Sequence, residues 1–348
     1  VLTEHYLPFT ARIDAACQRI SRMNPPAKTP ISLWVVKLPI AVFALAILVS
    51  VASVQPAFAD DEAKELPKPV EMTLPTKDGV QLKCTFFPGT NGKQTVPVML
   101  IHGWKGRRGE FLPLAQHLQK LGHAVMIPDL RGHGESTVRK IPGRPKQDVD
   151  VEGLTSNDFA MMYGIDIETT KRYLMKQNNE GELNIELLCI VGADLGSILA
   201  LNWCVQDWSW RDLPAYKQGK DVKAFVLLSP QQSFRTLRIQ SALNHPIVRR
   251  DLSAMIMVGI NDSKAKQNAT RLHASLKRFH APVPRDPELR RKKQKLFLVG
   301  LQTSLQGTKL LNARGLDAAD RISQFIDLRV VRFQEDLPWQ DRTGPRGG

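Results

Sequence analysis

Ile190-Val191-Gly192-Ala193-Asp194-Leu195-Gly196-Ser197 joins two different periodicities. Residues 185–191 are almost continuously apolar, as in a strand buried on both faces. Residues 197–205 carry apolar side chains at helical spacing. Gly192, Ala193 and Gly196 leave room for backbone and helix to approach closely around one projecting residue, Asp194. Such a turn holds its central side chain out over the carboxyl end of the strand. A plain glycine-capped turn is the blander reading. The strand before it and the helix after it favour the sharper one.

The same alternation extends in both directions. Upstream, residues 70–76 and 80–87 are β-prone runs around Lys77-Asp78-Gly79, which signals a hairpin. Residues 96–101 and 123–127 read as strands, and 110–121 and 167–176 as helices. Downstream, residues 223–228, 254–258 and 296–299 read as strands. A closing helix over 316–328 has Ile322, Phe325 and Ile326 on one face. Strands alternating with helices predict an α/β fold: a mostly parallel sheet with helices on both faces, begun by an antiparallel hairpin. Residues 60–69 read as a proline-bearing linker. Residues 70–330 read as one domain with a polar insertion at 136–165, and 331–348 as a flexible charged tail.

Two more stretches fall at the carboxyl ends of predicted strands. They are Val98-Met99-Leu100-Ile101-His102-Gly103-Trp104 and Pro128-Asp129-Leu130-Arg131-Gly132-His133-Gly134-Glu135-Ser136. With the turn around Asp194, they resemble the α/β-hydrolase family over residues 68–328. The resemblance implies an eight-stranded sheet and a nucleophile elbow at Asp194. It also implies an oxyanion pocket from the backbone N–H groups of Leu195 and Trp104, and a triad acid after the seventh strand, where Asp262 stands. The family's usual elbow residue is serine. Its haloalkane dehalogenases and epoxide hydrolases have aspartate there. Their carboxylate attacks an sp³ carbon, and water activated by a histidine then hydrolyses the resulting ester.

The chain departs from that pattern at the histidine. The family's base follows the eighth strand, where this sequence offers Gln302 and Gln306, and no histidine occurs after His280. Glutamine exchanges no proton near neutral pH. Among the remaining histidines, His102 belongs to the oxyanion turn. His133, in the turn after the fourth strand, ranks first as a substitute base. Asp194 beside Asp262 would bring two like charges into one cleft, with one partly protonated. No histidine or cysteine joins them, so neither metal nor cofactor is expected.

Ahead of the domain, residues 38–54 are apolar. Lys28 and Lys37 precede them and Ala57-Phe58-Ala59 follows, in the pattern of a secretory signal peptide. Translation is expected from Met23, cleavage after Ala59, and export to a periplasmic or extracellular space. An uncleaved segment would tether the protein to a membrane. The formal net charge is +14. Its sharpest cluster, Arg290, Arg291, Lys292, Lys293 and Lys295, has no aromatic interleaved and reads as a solvated loop entering a strand. No nucleic-acid partner is therefore expected. Cys84, Cys189 and Cys204 fit neither a disulfide framework nor metal-ligand spacing. Trp203, Trp208 and Trp210 read as packing residues. These features favour an exported hydrolase-fold protein with an incomplete triad and a pocket for a small molecule. The competing readings are an active hydrolase of an ester, epoxide or haloalkane with Asp194 as nucleophile, and a basic surface protein that binds a polyanion. No sequence feature sets an oligomeric state.

Overall fold

The computed structural model describes residues 65–343 apart from 212, 215 and 216. The expected signal segment 1–59, the Met23 start, the beginning of the linker and the last five residues lie outside the described residues.

Eight strands form one sheet: β1 (Val70–Pro75), β2 (Gln81–Phe87), β3 (Pro97–Ile101), β4 (Ala124–Pro128), β5 (Leu188–Ala193), β6 (Val222–Leu228), β7 (Ser253–Gly259) and β8 (Leu296–Leu301). Their spatial order is β1-β2-β4-β3-β5-β6-β7-β8. β2 pairs antiparallel with β1 and β4. Every other neighbouring pair in this sheet is parallel. The hairpin and the mostly parallel sheet match the sequence expectation.

The principal helices are α1 (Leu112–Lys120), α2 (Glu168–Asn179), α3 (Leu195–Ser209), α4 (Ser263–Lys277), α5 (Pro287–Lys293) and α6 (Ala318–Arg329). Side chains alternate across β3, so Met99 and Ile101 pack with Ile198 and Trp203 of α3 on one face. Val98 and Leu100 pack with Leu114 of α1 and Phe325 of α6 on the other. With helices on both faces, β3, β4 and β5 are buried along their whole length. Trp203 is fully buried and its Nε1 donates to Glu168 Oε2 at 3.2 Å. It is a packing residue, as the sequence reads. Cys84, Cys189 and Cys204 are buried and unbridged.

The insertion at 136–165 is structured. Val138–Arg139 pairs with Gln147–Asp148. A short helix, Ser156–Met161, follows, with Thr155 and Asp158 forming a reciprocal cap.

The C-terminal segment departs from the expected flexible tail. Arg342 is 6% exposed. Its Nη1 donates to Glu186 Oε1 at 2.6 Å and to Asp221 Oδ1 at 2.7 Å. Trp339 Nε1 donates to the Asn178 carbonyl at 3.0 Å, and the Lys93 ammonium lies 3.8 Å from the Trp339 ring centroid. Composition suggested mobility. One arginine meeting two buried carboxylates beside the amino ends of β5 and β6 overrides it. Among the described residues no helix is long and apolar enough to cross a membrane.

Candidate functional site

β5 ends at Ala193 and α3 begins at Leu195. Asp194 between them has φ 49° and ψ −113°, a backbone conformation rarely adopted by residues with side chains. Close packing holds it there. A Cβ added at Gly196 would run into the Ile101 carbonyl, and one at Gly192 into the Gly196 carbonyl. The Asp194 N–H donates to the Leu228 carbonyl at 3.0 Å. The side chain is thereby fixed at the carboxyl end of the sheet, where the sequence places it.

The Asp194 carboxylate lies between two glycines. A Cβ at Gly103, in the turn after β3, would stand 3.1 Å from Oδ2. A Cβ at Gly307, after β8, would overlap the same oxygen. Among the described residues no hydrogen bond reaches this carboxylate. Burial pushes its pKa up to about 6, aided by the nearby negative charge of Glu110, while Lys309 acts in the opposite direction. Glu110 stands just before α1, where Thr308 Oγ1 donates to its Oε2 at 2.7 Å.

Asp262 is not the charge partner the sequence suggested. Its Oδ1 accepts the Ala265 N–H at 2.9 Å and caps α4. It lines the same cleft as Asp194, but the like charge that raises the Asp194 pKa is Glu110. Gln306 also turns elsewhere. Its Nε2 donates to the Gly259 carbonyl at 2.8 Å and its Oε1 accepts from Ser229 Oγ at 2.6 Å. The Gly307 N–H donates to the same Ser229 Oγ at 2.9 Å. These bonds tie the loop after β8 to the ends of β6 and β7, and they seat Gly307 against Asp194.

The two histidines at this end of the sheet have other partners. His102 Nε2 accepts the Leu130 N–H at 3.0 Å, so its Nδ1 carries the proton and donates to the Gly103 carbonyl at 2.8 Å. Burial holds its pKa below the usual histidine range. His102 is a neutral staple between the turns after β3 and β4. His133 Nδ1 donates to the Arg131 carbonyl at 2.9 Å, while its buried Nε2 has no partner among the described residues. Burial, then the neighbouring His102, pulls the His133 pKa down to about 4. No hydrogen bond joins His133 to Asp194, so the expected substitute base is not in place. The ring instead packs edge-on against Trp104, with centroids 5.1 Å apart.

Trp104 also meets Phe159 of the insertion and Phe234 after β6, at centroid distances of 5.7 and 5.1 Å. The Arg235 guanidinium covers the Trp104 ring at 4.6 Å. These aromatic contacts close over the turn that carries the expected oxyanion donor. The backbone N–H groups of Trp104 and of Leu195, the latter in the first turn of α3, meet no acceptor among the described residues. Beside Asp194 opens a cleft of about 460 Å³, lined also by Gln231, Gln232, Asp262, Lys264 and Asn268 among others. Among the described residues no group of three or more His, Cys, Asp or Glu side chains is placed to hold a metal ion.

Residues 96–252 match the family described as the alpha/beta hydrolase fold. The chain has the α/β-hydrolase fold. The match contains the turn at Gly103 and the elbow at Asp194, and it ends before Asp262 and Gln306. Two uncharacterized proteins of Mycobacterium tuberculosis strains are each 28% identical to this chain over 181 residues, 52% of its length and 51% of theirs. The chain thus spans about half the length of the curated relatives it matches. An esterase structure from Pyrococcus furiosus has a TM-score of 0.52 at 13% identity, covering 76% of this chain and 91% of that one. The structure of DcsB in complex with its substrate analogue has a TM-score of 0.51 at 13% identity, covering 76% and 99%. Identities this low carry the fold and not the activity.

Glu110, Ser229 and Gly307 escaped the sequence reading. No motif marks Glu110 or Ser229. Gly307 stands one position beyond Gln306, the residue that spacing placed nearest the missing histidine.

Proposed function

We propose that this chain is an exported α/β-hydrolase-fold protein whose elbow has lost catalysis and whose cleft binds a small polar ligand. The observation that carries this reading is Gly307 packed against the Asp194 carboxylate. The loop that brings a base to the elbow in the hydrolase family here brings a residue without a side chain, and even one added carbon would overlap Asp194 Oδ2. Gln306 supports the reading because its amide is committed to Ser229 and Gly259. Loss of a triad histidine lowers turnover on the order of a million-fold. Oxyanion donors alone retain roughly a thousand- to ten-thousand-fold over water. The cleft volume lies within the usual range for small-molecule sites, and its lining offers both donors and acceptors. Export rests on the apolar residues 38–54 and the Ala57-Phe58-Ala59 site.

The strained backbone of Asp194 favours a second reading, in which the carboxylate is a nucleophile towards an ester, epoxide or haloalkane. Attack on a haloalkane would form a carbon–oxygen ester bond and expel halide. Release of that ester needs activated water, and among the described residues no histidine is hydrogen-bonded to Asp194 to supply the base.

The test incubates the full chain and its Asp194→Ala variant with an activated ester, an epoxide and a haloalkane, following product and intact mass. Equal background rates and unchanged masses are expected. Turnover lost in the variant would make the protein an enzyme. A mass increase without turnover, absent from the variant, would make Asp194 a nucleophile without a base.

A further inference from the structure

β7 and β8 run parallel and start together, with Ala254 opposite Leu296. Three segments meet at their amino ends, the end of the sheet opposite Asp194. They are the turn Ile247–Asp251 before β7, the loop after α4, and α5 with Lys295 before β8. Contacts join them into one surface. Arg249 and Arg250 lie over the Phe279 ring, 4.5 and 5.8 Å from its centroid. Lys295 Nζ donates to the Asp251 carbonyl at 3.0 Å, and Arg290 Nε to the Pro284 carbonyl at 3.2 Å.

This surface is strongly basic. Residues 277–295 hold eight Lys and Arg against two Asp and Glu, a net +6 of the chain's +14. All seven residues of α5 are exposed. Within residues 277–295, the one ion pair among the described residues joins Arg291 to Glu288 at 3.4 Å. The surface is also apolar. Phe279, Val283 and Leu289 are 41%, 49% and 45% exposed. Single exposed hydrophobic residues are ordinary. Three within eleven residues, set among an excess of cations, exceed what a solvated loop needs. The sequence reading of a solvated basic loop misses this apolar component, because Phe279 and Val283 stand upstream of the run that begins at Arg290.

We infer that this face docks on an anionic lipid bilayer. The Lys and Arg side chains meet headgroup phosphates, while Val283 and Leu289 enter the boundary between headgroups and acyl chains. A nucleic acid would use the same cations. Valine and leucine give it no stacking platform, however, and the Phe279 ring is already covered by Arg249 and Arg250. Docking by this end leaves the Asp194 cleft, at the carboxyl ends of the strands, facing water. The inference stands whether or not that cleft is catalytic.

The test measures co-sedimentation of the full chain with phosphatidylcholine vesicles made with and without phosphatidylglycerol. Binding is expected to require phosphatidylglycerol and to weaken with added salt. The combined variant Lys277→Glu, Arg278→Glu, Lys292→Glu and Lys293→Glu is expected to bind at least about tenfold more weakly. A second variant, Val283→Ser with Leu289→Ser, keeps the charge and is expected to lose binding at raised salt. It decides the matter if charge reversal disturbs folding. Anchoring through the apolar residues 38–54 alone would instead be blind to lipid charge. Binding indifferent to lipid charge and unchanged in both variants therefore overturns the inference. Binding of single-stranded DNA that the charge-reversed variant loses, without phosphatidylglycerol-dependent sedimentation, also overturns it.

Discussion

Replacing Arg131 by methionine is expected to destabilise the protein by about 4 kcal/mol near neutral pH, the scale of breaking a buried ion pair. The Arg131 side chain is fully buried. Its Nη2 donates to Asp166 Oδ1 at 2.6 Å and its Nη1 to Asp78 Oδ2 at 2.9 Å. Methionine fills much of the volume of the arginine stem, so the loss is mainly electrostatic. Asp166, also fully buried, keeps only the Arg131 backbone N–H at 3.0 Å. Burial already outweighs Arg131 in setting the Asp166 pKa, which lies above the usual carboxylate range. Without the guanidinium it rises further. A raised folded-state pKa penalises the ionised form at high pH, and the penalty fades as pH falls and the folded state takes up the proton. The deficit of Arg131→Met is therefore expected to shrink on acidification. Urea unfolding at neutral and mildly acidic pH measures both effects. A loss below about 1 kcal/mol would show that the pair does not anchor this region. The consequence reaches the cleft, because Asp166 leads into α2 and the insertion before it carries Phe159, which packs on Trp104.

Replacing Asp194 by asparagine is expected to stabilise the protein by about 2 kcal/mol near neutral pH. A rise in pKa from 3.8 to about 6 corresponds to roughly 3 kcal/mol, which the partial exposure of the carboxylate reduces. The penalty is fully developed above the folded-state pKa. It disappears as pH falls below that of an unfolded carboxyl, so the gain should fade between about pH 6 and pH 4. Asparagine tolerates positive φ better than most residues with a side chain, so the backbone at 49° is not a new source of strain. Thermal unfolding of both proteins across this window is the measurement, and a rise in Tm of roughly 5 °C at neutral pH is expected. A variant less stable than the parent at every pH would give Asp194 a structural task. A more stable variant would show that the chain keeps a destabilising carboxylate at its elbow, as expected of a residue retained for binding.

The sequence disclosed the fold because the decisive signals are local. The apolar run before Gly192, the helical spacing after it and the small residues between depend on neighbours in the chain. The same holds for the hairpin at Lys77-Asp78-Gly79. The absence of a histidine after His280 needed no alignment of the strands. What surrounds Asp194 was less legible because it is assembled from distant segments. Glu110 lies before α1 and Gly307 after β8, and nothing in the sequence says that both approach one carboxylate. Asp262 had the position expected of a triad acid, yet its nearest demand is the unsatisfied N–H at the start of α4. The tail misled for a related reason. Composition describes the average of residues 331–348, whereas one residue of that stretch, Arg342, meets Glu186 and Asp221.

The most direct test of the central claim, that no base reaches the elbow, is hydrolysis of an activated ester by an Asp194→Ser variant of the full chain. This change places the hydrolase family's usual nucleophile on an elbow whose backbone geometry already suits it. The expected result is a rate no higher than that of Asp194→Ala, because Gly307 stands where a base would approach and His133, its pKa pulled down to about 4 by burial, makes no hydrogen bond to the elbow. Turnover well above that background, rising with deprotonation of a single group near neutral pH, would reveal a base in reach of the elbow and contradict the account.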